Sequence, residues 1–200
     1  MEAALKEEIA VCWLRRDLRL KDNTALFHAL KSGFPVVLLF IFDPEILETL
    51  PDKKDRRVAF IHRQLEKLNE QVREYGSSLL VLHEIPEKAF QKLLLEYRIK
   101  DIYTNHDYEP YARRRDKEVA YLLTESGVDF HTFKDQVIFE KSEVMKPDGT
   151  PYTVFTPYSR TWKQRLHQEG VQNFPSEKHL DHLLKMSKKK LPSLEEIGFE

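Results

Sequence analysis

The chain has 200 residues, 41% of them apolar and 11% aromatic, enough for one domain with a full hydrophobic core and too apolar for a disordered chain. A formal net charge of −1 excludes global attraction to a polyanion, and residues 1–8 mix charges without an apolar stretch, so no secretory signal is read there. The longest apolar run, residues 36–42, falls far short of the roughly 20 residues a membrane-spanning helix needs, and the chain is expected to be cytoplasmic, with no membrane contact.

Short apolar runs alternate with longer helical patterns, which is how β-α units around a parallel sheet read. Strands are expected at residues 9–14, 36–42, 79–84, 101–105 and 128–133, with runs apolar enough to be covered on both faces. Between them, residues 23–32, 55–75, 86–97 and 112–126 place apolar side chains at three and four spacing, as in Phe60, Ile61, Leu65, Leu68 and Val72. Gly33, Gly76 and Gly127 follow these helices where a left-handed residue is wanted, and Asn23 is a candidate N-cap. Past Phe133 a loop with Pro147, Gly149 and Pro151 leads into the aromatic stretch Tyr152, Phe155, Tyr158, Trp162, read as a short helix. From Gly170 the chain turns polar and reads as a linker.

Several chemistries have no candidate. Six glycines include no pair spaced for a dinucleotide or Walker A loop, and there is no G-x-S-x-G elbow. The single cysteine, Cys12, lies in an apolar strand and reads as an inert buried thiol. Of eight histidines only His179 and His182 have helical ligand spacing, and no thiolate or carboxylate set completes a metal site, so neither a metal nor a catalytic residue is assigned.

Four ordered segments carry a resemblance. Trp13-Leu14-Arg15-Arg16-Asp17-Leu18-Arg19-Leu20-Lys21-Asp22-Asn23 reads R-x-D-L-R-x-x-D-N after a strand. It is followed by Phe40-Ile41-Phe42-Asp43-Pro44, by Asn105-His106-Asp107-Tyr108-Glu109-Pro110-Tyr111 with Arg115-Asp116, and by Gly149-Thr150-Pro151-Tyr152 through Trp162. Together they resemble the amino-terminal domain of the DNA photolyase/cryptochrome family over residues 9–166.

The resemblance implies a doubly wound α/β domain, Rossmann-like, whose five parallel strands run in the order 3-2-1-4-5 with helices on both faces. It occupies residues 1–168, and residues 169–200 are expected to lead towards an FAD-binding helical domain absent from this chain. The implied function is light harvesting within a deoxyribodipyrimidine photolyase, a DNA-repair lyase in which the FAD domain of the same chain splits pyrimidine dimers. This fragment alone would be inactive, and DNA would be met only by the full-length protein. A cryptochrome photoreceptor is the alternative, and an unrelated nucleotide-binding α/β module the second.

In family members with a flavin-like antenna the chromophore lies at the carboxyl edge of the sheet. The matching residues here are Arg16, Phe40, Asp43, Arg57, Asp107 and Glu109, which supply polar groups, a cation and an apolar face for a deazaflavin or FMN. Arg16 and Asp107 fit equally well as an ion pair holding loops together, and Phe40 as core. A folate antenna is disfavoured, because Tyr111 and Ala112 stand where the family's folate binders carry an Asn-Glu pair. The cluster Arg113, Arg114, Arg115, Lys117 opens a helix, where positive charge opposes the dipole; solvation, acidic partners or a ligand phosphate would each account for it.

Overall fold

A computed structural model describes residues 7–200. Five strands, β1 (Glu8–Leu14), β2 (Val36–Phe42), β3 (Leu80–His83), β4 (Arg98–Asn105) and β5 (Asp129–Phe133), form one parallel sheet in the order β3-β2-β1-β4-β5. The expected strand order is thus the observed one, and β4 starts three residues earlier than its apolar run because Arg98 continues the ladder beside Glu8. The helices are α1 (Thr24–Leu30), α2 (Pro44–Leu47), α3 (Arg56–Glu74), α4 (Pro86–Glu96), α5 (Pro110–Glu125) and α6 (Phe155–Glu169). The single turn α2 was not legible as a helix: Asp43 caps it through a bond from the Glu45 N–H at 3.0 Å, and Pro44 takes the first helical position.

Side chains alternate across the central strands and divide the core into two layers. Ala10, Cys12, Leu14, Leu38 and Phe40 face α1 and α3, meeting Leu26, Leu30, Leu65 and Val72. Ile9, Val11, Trp13, Val37, Leu39 and Ile41 face α4 and α5, meeting Phe90, Leu93, Val119 and Leu123. The Trp13 indole meets Phe90 edge-on at 5.1 Å. Each such buried aliphatic or aromatic side chain contributes about 2 kcal/mol relative to exposure, which explains the nearly continuous apolar runs of β1 and β2.

The tail, expected as a linker over residues 169–200, packs against the domain from Ser176 onward. A 3-10 helix (Ser176–His182) and a second (Glu195–Ile197) bring Leu180, Leu183, Ile197 and Phe199 into the α1/α3 layer of the core. Leu183 bridges Val36 in parallel, and the Leu184 N–H donates to the Val36 carbonyl at 2.8 Å. The buried Ser176 hydroxyl donates to the Leu20 carbonyl at 2.7 Å and accepts from the Asn23 N–H at 3.1 Å. Among the described residues no helix is long and apolar enough to cross a membrane.

Candidate functional site

The chain leaves β1 and β4, which are neighbours, in opposite directions, so the crevice between their carboxyl ends is the switch point where doubly wound folds bind ligands. Here that crevice is filled by the protein's own polar side chains. The Asp17 carboxylate accepts from the Arg15 backbone N–H at 2.8 Å, from the Asn23 amide at 3.1 Å and from the Asn105 amide at 2.6 Å. Asn105 also donates to the Asn23 side-chain oxygen at 2.9 Å and accepts from the Ala25 N–H at 3.0 Å. Asn23 caps α1 by accepting from the Leu26 N–H at 3.1 Å. Asp17, Asn23 and Asn105 are all buried.

Arg15, Arg19 and Asp22 of the R-x-D-L-R-x-x-D-N segment are also engaged. Arg15 donates to both oxygens of Asp116, at 2.7 and 2.8 Å, and to the Asn105 carbonyl. Arg19 pairs with Asp135 at 2.8 Å, and one Asp135 oxygen accepts from both the N–H and the hydroxyl of Thr24 at 3.0 Å. Asp22 takes a left-handed backbone with φ 50°, tolerated by a short polar side chain, and accepts from the Phe174 N–H at 2.8 Å. A buried network satisfied to this degree is rigid, and it leaves a hollow of only about 10 Å³ lined by Arg15, Arg16, Asp17, Asn105, His106, Asp107 and Gln136.

The six residues expected to hold a flavin-like antenna do not form one slot. Arg16, Asp107 and Glu109 do come together, with Arg16 3.5 Å from Asp107 and 3.7 Å from Glu109, but the Arg16 side chain is 60% exposed. Phe40 belongs to the core and meets Phe42 edge-on at 4.9 Å. Asp43, besides capping α2, accepts from the Tyr111 hydroxyl, which ties the β2 loop to α5. Arg57 folds onto Asp55 at 2.6 Å with its own side chain 74% exposed. Hydrogen bonds from Arg57 hold the Asp55 carboxyl down to about 2.

The arginine cluster divides in the same way. Arg115 is buried, its guanidinium 4.8 Å from the Trp13 ring and 3.1 Å from Asp116, while Arg15 lies 5.0 Å from the same ring. Arg114 reaches Glu45 at 3.4 Å and lies over Tyr111. Near them Glu87 is raised above the usual carboxylate range by burial, with the charges of Glu118 and Asp43 adding to the effect. Of the spaced histidines, His182 bonds the Leu30 carbonyl through Nδ1 at 2.6 Å and His179 packs on Phe27. The set Asp101, Asp129 and His131 has ligand atoms within 4.8 Å of one another; the sequence hid it because Asp101 and Asp129 become neighbours only through the β4–β5 register. His131 Nε2 is already 3.1 Å from Asp101.

Comparison with known proteins places this geometry. Two photolyase structures share the fold: a bacterial class III photolyase from Agrobacterium tumefaciens, with TM-score 0.76 at 24% identity over 98% of this chain and 39% of that one, and an archaeal photolyase from Sulfolobus tokodaii, described with two FAD molecules, with TM-score 0.70 at 26% identity over 90% of this chain and 42% of that one. A deoxyribodipyrimidine photo-lyase of Synechococcus sp. strain PCC 6301 is 31% identical over 94% of this chain, which spans 40% of that protein's length. An uncharacterized 31.6 kDa protein of Synechococcus sp. strain PCC 6716 is 34% identical over 94% of this chain, which spans 66% of it. The family model described as DNA photolyase matches residues 10–178, a stretch that includes all four motif segments and the whole sheet except the first residues of β1, and the chain belongs to that family.

Proposed function

We propose that this chain is the amino-terminal α/β domain of a light-driven pyrimidine-dimer lyase and contributes no catalytic group of its own. The observation that carries the reading is the family match over residues 10–178 in a chain that spans only 40% of the Synechococcus photo-lyase. In the full protein an FAD held by the helical part would supply the electron that splits a pyrimidine dimer. The work of these residues is structural: Arg15, Asp17, Asn23 and Asn105 fix the carboxyl-edge loops, and Asp43 with Tyr111 fixes the loop after β2 to α5.

The small hollow beside Arg16 and Asp107 argues against light harvesting there. Pockets for drug-sized ligands measure about 300–1,000 Å³, whereas the hollow beside Arg16 and Asp107 holds about 10 Å³. The domain is therefore proposed to work without a deazaflavin or FMN in that crevice. Fluorescence polarisation of FMN should stay flat as the purified chain is added; saturable binding that Asp107→Ala weakens would reinstate the antenna site.

The lyase reading is tested by exchanging the matching segment of the Synechococcus photo-lyase for this chain and irradiating repair-deficient bacteria. The chimera should restore survival after ultraviolet exposure only when visible light follows, and the 200-residue chain alone should not. A chimera that retains FAD but restores nothing would count against the lyase reading; the second reading is a signalling photoreceptor. That second reading draws support from Cryptochrome-1 of Spalax judaei, 28% identical over 96% of this chain.

A further inference from the structure

We propose that the exposed start of α6, at Val154 and Phe155, is the docking surface for the part that the longer relatives carry beyond this match. This rests on the function proposed above and adds to it the surface through which the two parts meet. Helix α6 is 15 residues long and none of its residues is buried. Its inner side meets the preceding loop: Trp162 meets Phe139 edge-on at 5.7 Å, Tyr158 meets Tyr152 at 6.1 Å, and the Thr161 and Tyr152 hydroxyls are 2.9 Å apart. Its N-terminus has no side-chain cap, and its first turn contains no acidic residue. Helices of about 12–15 residues are marginal in water without tertiary packing, so α6 has too little support from the domain that carries it.

The exposed side chains show what kind of support would complete it. Phe155 is 77% and Val154 61% exposed at its start, and Val171 is exposed just past its end. Beside Val154 lies a hollow of about 420 Å³ lined by Pro147, Tyr152, Val154 and Pro157 among others. Two exposed apolar side chains next to this hollow fit a partner that inserts side chains between them, while Arg160, Lys163 and Gln164 keep the rest of the exposed helix polar. The segment falls in the last part of the family match, which ends at residue 178, and the Synechococcus photo-lyase is matched over only 40% of its length. A large covalently continuous partner thus exists in such relatives, and α6 is the described helix that the α/β domain leaves without a buried face.

Hydrogen exchange read by mass spectrometry tests this on two proteins, the 200-residue chain and its chimera with the Synechococcus photo-lyase. In the chain alone, as a monomer, α6 amides should exchange at least about tenfold faster than those of α3, and in the chimera they should become protected. Val154→Asp with Phe155→Asp should remove that protection and lower FAD retention, whereas Tyr121→Asp, an exposed site on α5, should do neither. Equal protection of α6 in the monomeric chain and the chimera would overturn the proposal. So would a dimer of the chain that Phe155→Asp converts to a monomer, since a second copy would then be the occupant. A chimera that repairs dimers with α6 unprotected defeats the docking surface alone; one with α6 protected but no repair defeats the lyase reading alone.

Discussion

Replacing Asn105 by alanine removes its bonds to Asp17 and Asn23 and leaves the Ala25 N–H without its acceptor, all inside a buried cluster. Unsatisfied buried polar groups cost about 1–3 kcal/mol each, so a loss of about 3 kcal/mol is expected in denaturant unfolding. Arg16→Ala, which breaks only two long exposed contacts, should change stability by less than about 0.5 kcal/mol. Cys12 is fully buried and its thiol is pushed well above its ordinary range by burial, with Asp17 and Asp135 adding to the shift. Iodoacetamide should therefore label it only at the rate of global unfolding, and fast labelling of folded protein would contradict the packing of β1. His28 stacks on Phe133 at 4.4 Å, and burial, with the charges of Lys31 and His131, lowers it below its ordinary value. The unfolded chain then binds more protons, so stability should stay level above about pH 6.5 and fall as pH drops from there towards the folded value. His28→Leu should flatten that slope in a series of unfolding curves. At this scale the sequence shows that Arg16, Asp107 and Glu109 meet, since each follows a strand that ends at one edge. It hides the fate of Arg57, whose choice of Asp55 is a matter of local geometry.

Among the elements, β1 and β2 declare themselves because both faces of each strand are covered, and α3 because Val58, Leu65, Leu68 and Val72 keep helical spacing, although Phe60, read in the same pattern, is exposed. The tail does not, because Leu180, Leu183, Ile197 and Phe199 recur at no fixed period among lysines and prolines, and each fills a separate gap over α1 and α3. It nevertheless closes one side of the core, and Leu183→Ala is expected to cost about 3 kcal/mol. Cutting the chain after Gly170 would expose the α1/α3 layer and should produce binding of a hydrophobic dye, whereas a free linker could be removed without effect. The R-x-D-L-R-x-x-D-N segment shows the same limit. Its position at the sheet edge follows from the strand before it, but its role as a lock needs Asn105, Asp116 and Asp135, which the sequence places about a hundred residues away.

For the whole molecule, a net charge of −1 and a mixed surface predict no salt-sensitive DNA binding by these residues alone, so submicromolar affinity at moderate salt would contradict the account. The four motif segments and the five-strand order locate the domain within its family, while the closed crevice is a property that no motif announces. On the proposed reading this family domain would support light-driven repair through its packing, with no chromophore at the switch point. The wavelength dependence of dimer repair by the purified chimera tests both parts together. Repair should occur and should follow the absorption of the bound FAD alone, with or without added FMN or deazaflavin. A chimera that holds FAD without repairing, or one whose repair gains a new band when either chromophore is added, would contradict it.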